Sequence, residues 1–422
     1  MPELQVGYGE RVITPPLDVE LTGYGYYLNR RAETVLDDLK ARVLFIRRGS
    51  DSIILISCDL LGMTVDYADA VRAEVVSRQG VPGRNILLAC THTHTGPTVQ
   101  SLPGLGETDA DYVNRLPSAI AEAVKEAEDD LAAAKPCYCE KKVEPIGFNR
   151  RSMSPDPIDP VLRSLIFKRG SDKIYLLNYA CHPVTLGPSN SVSGDWPGAL
   201  ISALEDNGHR GIFFQGFCGD IDPICNLSRW GSGSKETMHT YGMSLCRGVF
   251  NAERFADALA VSEIGAVERR LNLRLAVPSK AEMEKDKQYW LQKSTGFTGS
   301  ADRRFVEEWA ECAGENYDRL KENPYLAGVP VQAVFIGPLK MLCLPGEVFC
   351  RYRLHLHEER PALLTIGYAN GNIGYLPTTD AYADAGDYAC YGAPKFYNLF
   401  PFAEDIEKVL LKESHNLLAE QG

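Results

Sequence analysis

Two histidines separated by a single threonine, His92 and His94, lie in ACTHTHTGP (89–97), directly after an apolar run and before a Gly-Pro turn. On an extended segment, residues two apart point to the same face. Neutral imidazole is a preferred ligand of zinc, so a pair on one face at a strand end makes a half-site for Zn2+. A lone histidine more often satisfies a hydrogen bond in a core. A third candidate, His182, follows the apolar run ending NYAC and precedes a loop rich in Pro and Gly. A fourth, Glu347 in LPGEVF (344–349), is a carboxylate at the end of a buried-looking strand. Ionised there, it needs a positive partner, which a metal would supply.

The elements that must position these residues follow a pattern repeated three times. In each copy two apolar runs are joined by a tight turn. A helix follows, and then a further apolar run that ends in Gly-rich sequence. The copies span 41–97, 162–223 and 331–377, with helices expected near 66–79, 196–207 and 350–359. RRGSDS and KRGSDK have the composition of hairpin turns. The second run of each copy ends at Asp59, His182 or Glu347; the last ends at His92 and His94, at Asp220, or at Tyr375. Ligands collect where α/β strands end, so three such units bring these residues to one point. Asp59 and Asp220 are expected to fix the imidazoles. The alternation of strands and helices predicts an α/β (mixed α+β) fold with mixed sheets flanked by helices. No linker marks a boundary, so 1–422 is expected to form one catalytic domain. It carries a helical insertion over about 279–322 that either packs on the body or serves as a lid.

The net charge of −12 excludes a basic footprint for nucleic acid and offers nothing to anionic lipid. No apolar run reaches the roughly 18 residues of a membrane span. The opening residues carry no basic or apolar signal segment, so a cytoplasmic location is expected, or a secreted one if such a segment has been removed. The 12 cysteines sit mostly in apolar strand-like runs and read as buried thiols.

The motifs together resemble the neutral (alkaline, non-lysosomal) ceramidases. THTHTGP matches their T-H-T-H-[ST]-G-P, and GYGERVITPP, CDLLGM, FNRRS, CHPVTLGPSN, GDIDP, LPGEVF and GYLPT follow in the family's order. The resemblance implies a zinc-dependent amidohydrolase acting on a lipid or small-molecule amide. Zinc would be held by His92, His182, Glu347 and Tyr375, with His94 and the arginine of N-R-S, here Arg150 or Arg151, in catalysis. Asp220 joins the catalytic candidates by its place in the repeat. Where ceramidases read G-D-V-S-P this chain reads GDIDP, so Asp222 replaces the family's serine and a serine acyl-enzyme route at that position is closed. Hydrolysis of an ester or lactone at the same zinc site, and zinc binding without turnover, are the alternatives. The polar character of 187–197 and 296–303 leads to the expectation that short or soluble amides are turned over better than long-chain ceramide.

Overall fold

The computed structural model describes residues 2–24, 29–297, 300–359 and 362–420. Its three large sheets, among the described residues, are built on one topology. The first contains β1 (Leu4–Val12), the hairpin β2 (Lys40–Arg48) and β3 (Asp51–Cys58), helix α1 (Val65–Gln79) and β4 (Ile86–Cys90), followed by α2 (Ala110–Asp129). The second contains β5 (Lys135–Lys142), β6 (Val161–Arg169), β7 (Asp172–Tyr179), α3 (Asp195–Glu205) and β8 (Arg210–Gln215), followed by α4 (Lys235–Glu253). After β9 (Ile264–Arg274) come α5 (Lys280–Ser294) and α6 (Ser300–Leu320). The third unit then completes itself with β10 (Tyr325–Ile336), β11 (Leu339–Cys343), α7 (Cys350–Glu359) and β12 (Leu363–Ile366), and α8 (Ile406–Ala419) closes the chain. Strand orders are β4-β3-β2-β1, β8-β7-β6-β5 and β12-β11-β10-β9, with the short edge strands Ala132–Ala133 beyond β1 and Asp257–Ala258 beyond β5. In each, the hairpin is antiparallel and the last strand returns parallel to the hairpin's second strand, as a helical crossover requires.

The hairpins turn alike because Gly49, Gly170 and Gly337 each take positive φ at the first central position of a two-residue turn, where a Cβ is disfavoured. Strands bury both faces, which is why they read as continuous apolar runs. Ile53 and Leu55 of β3, Ile174 and Leu176 of β7, and Leu339 and Met341 of β11 meet in one central cluster where the three sheets pack together. The alternating residues face the helices: Ile54 and Ile56 share a core with Val71 of α1 and Val124 of α2, and Leu177 with Leu200 of α3 and Val249 of α4. Leu342 packs with Tyr352 of α7 and Leu417 of α8. Polar side chains join every pair of sheets. Ser57 Oγ donates to Phe213 O at 2.6 Å, Asn178 Nδ2 to Phe214 O at 3.0 Å and Thr365 O at 2.9 Å, and Asn370 takes Leu88 N at 3.0 Å while donating to Gln332 Oε1 at 2.9 Å.

The insertion packs on the body. Met283 of α5 and Phe305, Val306 and Trp309 of α6 form a cluster with Leu61, Leu105, Phe396 and Tyr397. The cysteines are free and mostly buried. No helix among the described residues is long and apolar enough to cross a membrane. Asn178→Ala removes a donor shared by two buried carbonyls and is expected to cost about 1–3 kcal/mol in denaturant unfolding. A loss within about 0.5 kcal/mol, the range of surface substitutions, contradicts its role in joining sheets.

Candidate functional site

Residues just beyond the carboxyl ends of the parallel pairs β3/β4, β7/β8 and β11/β12 meet to form the site. β4 stops at Cys90, and His92 lies beyond it with φ of 70°, in the left-handed region. The expectation that His92 and His94 share a face of an extended strand is therefore corrected: they converge through a turned backbone. His92 N bonds Leu60 O at 2.9 Å, and Tyr368, itself at φ of 52°, stacks on the His92 ring at 3.9 Å. Two adjoining residues in a sparsely populated backbone region mark a strained, over-determined site.

His92, His94 and His182 are buried, with one ring nitrogen of each within 4.8 Å of the others, and together they could hold a metal ion. His92 Nδ1 lies 2.7 Å from Leu61 O, and His182 Nδ1 lies 2.8 Å from Cys218 O and 3.1 Å from Ile221 O. A carbonyl can only accept, so each Nδ1 carries a proton and each Nε2 is the nitrogen left pointing inward, the one that metal-binding histidines offer. Those Nε2 atoms face Glu347 Oε2, at 3.1 Å from His182 and 3.5 Å from His92. Burial disfavours charge on Glu347 and His182 alike, but contact reverses this. The histidines hold Glu347 well below the usual carboxylate range, and Cys218 and Glu347 push His182 up to about 10. Burial, with the neighbouring imidazoles, keeps His94 well below its ordinary value. Neither ring nitrogen of His94 has a hydrogen-bond partner among the described residues.

Tyr375 pairs in register with Glu347 as the neighbouring strand end, and its phenol oxygen accepts from Arg150 Nη2 at 2.7 Å. Arg150 also donates to Gly219 O at 2.7 Å and lies 3.2 Å from Asp222 Oδ1. Arg151 turns instead to Asp387 at 2.7 Å and Asp380 at 3.6 Å. The structure thus separates the two arginines that the FNRRS motif left open: Arg150 contacts Tyr375, and Arg151 does not.

Two expectations fail. Asp59 accepts from Arg42 at 2.7 Å and Lys40 N at 3.0 Å, a buried ion pair with the neighbouring strand β2. Asp220 accepts from Cys350 N and Asn149 Nδ2, both at 2.7 Å, tying α7 to the loop that carries Arg150. Among the described residues, neither carboxylate is bonded to an imidazole; main-chain carbonyls do that work. One residue was missed. Tyr397 OH donates to Glu347 Oε1 at 2.7 Å, from a segment outside the repeats with no motif of its own.

A cleft of about 700 Å³ opens onto His94, Arg150, Asp222 and Tyr375. Its walls include Met153, Leu227, Trp230 and Tyr388, which remain 58%, 45%, 41% and 46% exposed, so the mouth is rimmed with apolar surface. The sequence directed attention to 187–197 and 296–303, neither of which lines this cleft; part of 296–303 lies outside the described residues. Nor does any described residue of α5 or α6 line it.

No known family profile matches the chain. Solved structures do. Neutral ceramidase from Pseudomonas aeruginosa superposes with a TM-score of 0.75 over 99% of this chain and 74% of that one, at 18% identity. The chain has the neutral ceramidase fold. A ceramidase complexed with C2 matches equally, with a TM-score of 0.75 over 99% of this chain and 75% of that one, at 17% identity.

A ligand that binds only the folded chain stabilises it, by about 2.7 kcal/mol at a hundredfold excess over Kd. Zinc is therefore expected to raise the melting temperature of the metal-stripped chain, and His182→Ala is expected to abolish the shift. An unchanged shift in that variant contradicts this cluster as the metal site.

Proposed function

We propose that this chain is a zinc-dependent hydrolase that cleaves the amide bond of an N-acyl substrate with an apolar acyl group. The observation that carries the reading is the convergence of two carbonyl-locked imidazoles on one buried carboxylate, beside a third imidazole whose nitrogens have no partner among the described residues. That donor set fits zinc, which takes imidazole nitrogen and carboxylate oxygen. His92, His182 and Glu347 would hold the ion, with the Tyr375 phenol as fourth donor. When bound, zinc supplies Lewis acidity that lowers the pKa of water toward 7 and polarises a carbonyl.

The chain's own groups do the rest. His94 faces the cleft with neither ring nitrogen bonded among the described residues, so it can take a proton from water and return it to the leaving nitrogen. Arg150 orients Tyr375 and presents a guanidinium to the cleft, with Asp222 balancing its charge. Asp220 leaves the catalytic set and becomes the bracket that holds the Arg150 loop, since its oxygens are engaged there. The apolar rim reverses the preference for short substrates suggested by the polar loops. An acyl chain laid against Leu227, Trp230 and Met153 removes apolar surface from water, which favours binding by roughly 25 cal/mol per Å².

Two tests follow. His92→Ala is expected to lose zinc, whereas His94→Ala keeps zinc and loses turnover of an N-acyl amide; equal loss of zinc from both would make His94 a ligand. For the substrate, kcat/KM is expected to be at least tenfold higher for a long N-acyl chain in detergent micelles than for an N-acetyl analogue, about 1.4 kcal/mol of extra transition-state binding. Equal or reversed preference would return the reading to small soluble amides.

A further inference from the structure

Tyr397 lies beyond the third unit, yet its phenol reaches the centre of the site. Its oxygen accepts from Asn372 Nδ2 at 3.3 Å and donates to Glu347 Oε1 at 2.7 Å. The ring rests on Gly374, at φ of 90°, where an added Cβ would come within 2.8 Å of Tyr397 Cδ2. Gly374 in turn accepts Glu347 N at 2.9 Å. The segment is gripped from outside by the insertion. Phe305 of α6 stacks on Phe396 at 3.9 Å with the ring planes 5° apart, and Asp286 of α5 lies 3.1 Å from Lys395 Nζ. One chain of contacts therefore runs from α5 and α6 to a single oxygen of Glu347.

With Oε1 engaged by the phenol, only Oε2 is turned toward His92 and His182. We infer that Tyr397 is a positioning residue that makes Glu347 a single-oxygen metal donor, and that the α5–α6 insertion is the brace that holds Tyr397 in place. This inference rests on the zinc reading of the same site. Its physical basis is that a buried carboxylate oxygen left without a donor must turn to find another, and a ligand free to turn binds its metal less tightly.

The test uses the full chain and zinc alone, with dissociation constants from competition with a chromophoric chelator. Tyr397→Phe removes only the hydroxyl and is expected to weaken zinc binding about 10- to 100-fold. Stoichiometry at saturating zinc is expected to stay close to wild type, with cooperative thermal unfolding retained. Phe305→Leu loosens the stacked pair and is expected to weaken zinc in the same direction, while Tyr289→Phe, on the exposed side of α5, leaves it unchanged. Wild-type affinity in Tyr397→Phe overturns the positioning role. Absence of zinc from that variant even at saturation also overturns it, because Tyr397 would then be a ligand. Unchanged affinity in Phe305→Leu overturns the brace. A wild-type chain that binds no zinc removes the underlying reading and this inference with it, an outcome distinct from the others.

Discussion

Glu347 is an almost fully buried carboxylate, and the arrangement around it answers the cost of placing an anion there. Removing such a charge from water costs several kcal/mol unless a positive or hydrogen-bonding partner replaces the solvent. Two imidazole nitrogens meet one oxygen and a phenol donates to the other. The imidazoles can serve only because main-chain carbonyls fix their far nitrogens, and those carbonyls belong to the loops following β3 and β8. Each of the three sheets thus contributes to a single charge-compensating cluster, and the cluster forms only when the three units pack together. Stability of the fold and assembly of the site rest on the same contacts.

Period-two burial explains how this assembly is encoded. Ile53, Ile174 and Leu339 point to the shared centre while Ile54, Tyr175 and Leu342 point to the covering helices, so the second strand of each hairpin is apolar along most of its length. That made the hairpin units readable as repeats in the sequence, together with the residues at their strand ends. The fourth strand of each sheet, β1, β5 or β9, was not readable in the same way, since LQVGYGERV and KPCYCEKK mix small and charged residues with apolar ones. The meeting of His92 and His94 was foreseen for the wrong reason. Extended geometry would give it, but a left-handed turn at His92 does. Asp59 and Asp220 carry the right chemistry at the right ends of strands, yet Arg42 and the Asn149–Cys350 bracket claim them first. Competition of this kind depends on tertiary neighbours and leaves no mark in spacing. Tyr397 was invisible for the complementary reason: it reaches Glu347 by packing of a segment that has no periodicity.

Position 222 sets the charge at the floor of the cleft. An aspartate there lies against Arg150, so the guanidinium enters the cleft already balanced. The apolar rim formed by Met153, Leu227, Trp230 and Tyr388 lies on the same opening. In the proposed reading the cleft pairs a near-neutral polar floor with apolar walls, a combination suited to a neutral amide carrying a hydrocarbon chain.

The central claim is that the strand ends of three units converge to hold one metal ion. Anomalous diffraction recorded on either side of the zinc absorption edge, from crystals of the wild-type chain grown with zinc, tests it most directly. The account predicts one dominant zinc peak per chain, within about 2.0–2.2 Å of His92 Nε2, His182 Nε2 and Glu347 Oε2. A peak elsewhere, or a cluster of imidazoles and carboxylate with no peak between them, would contradict it.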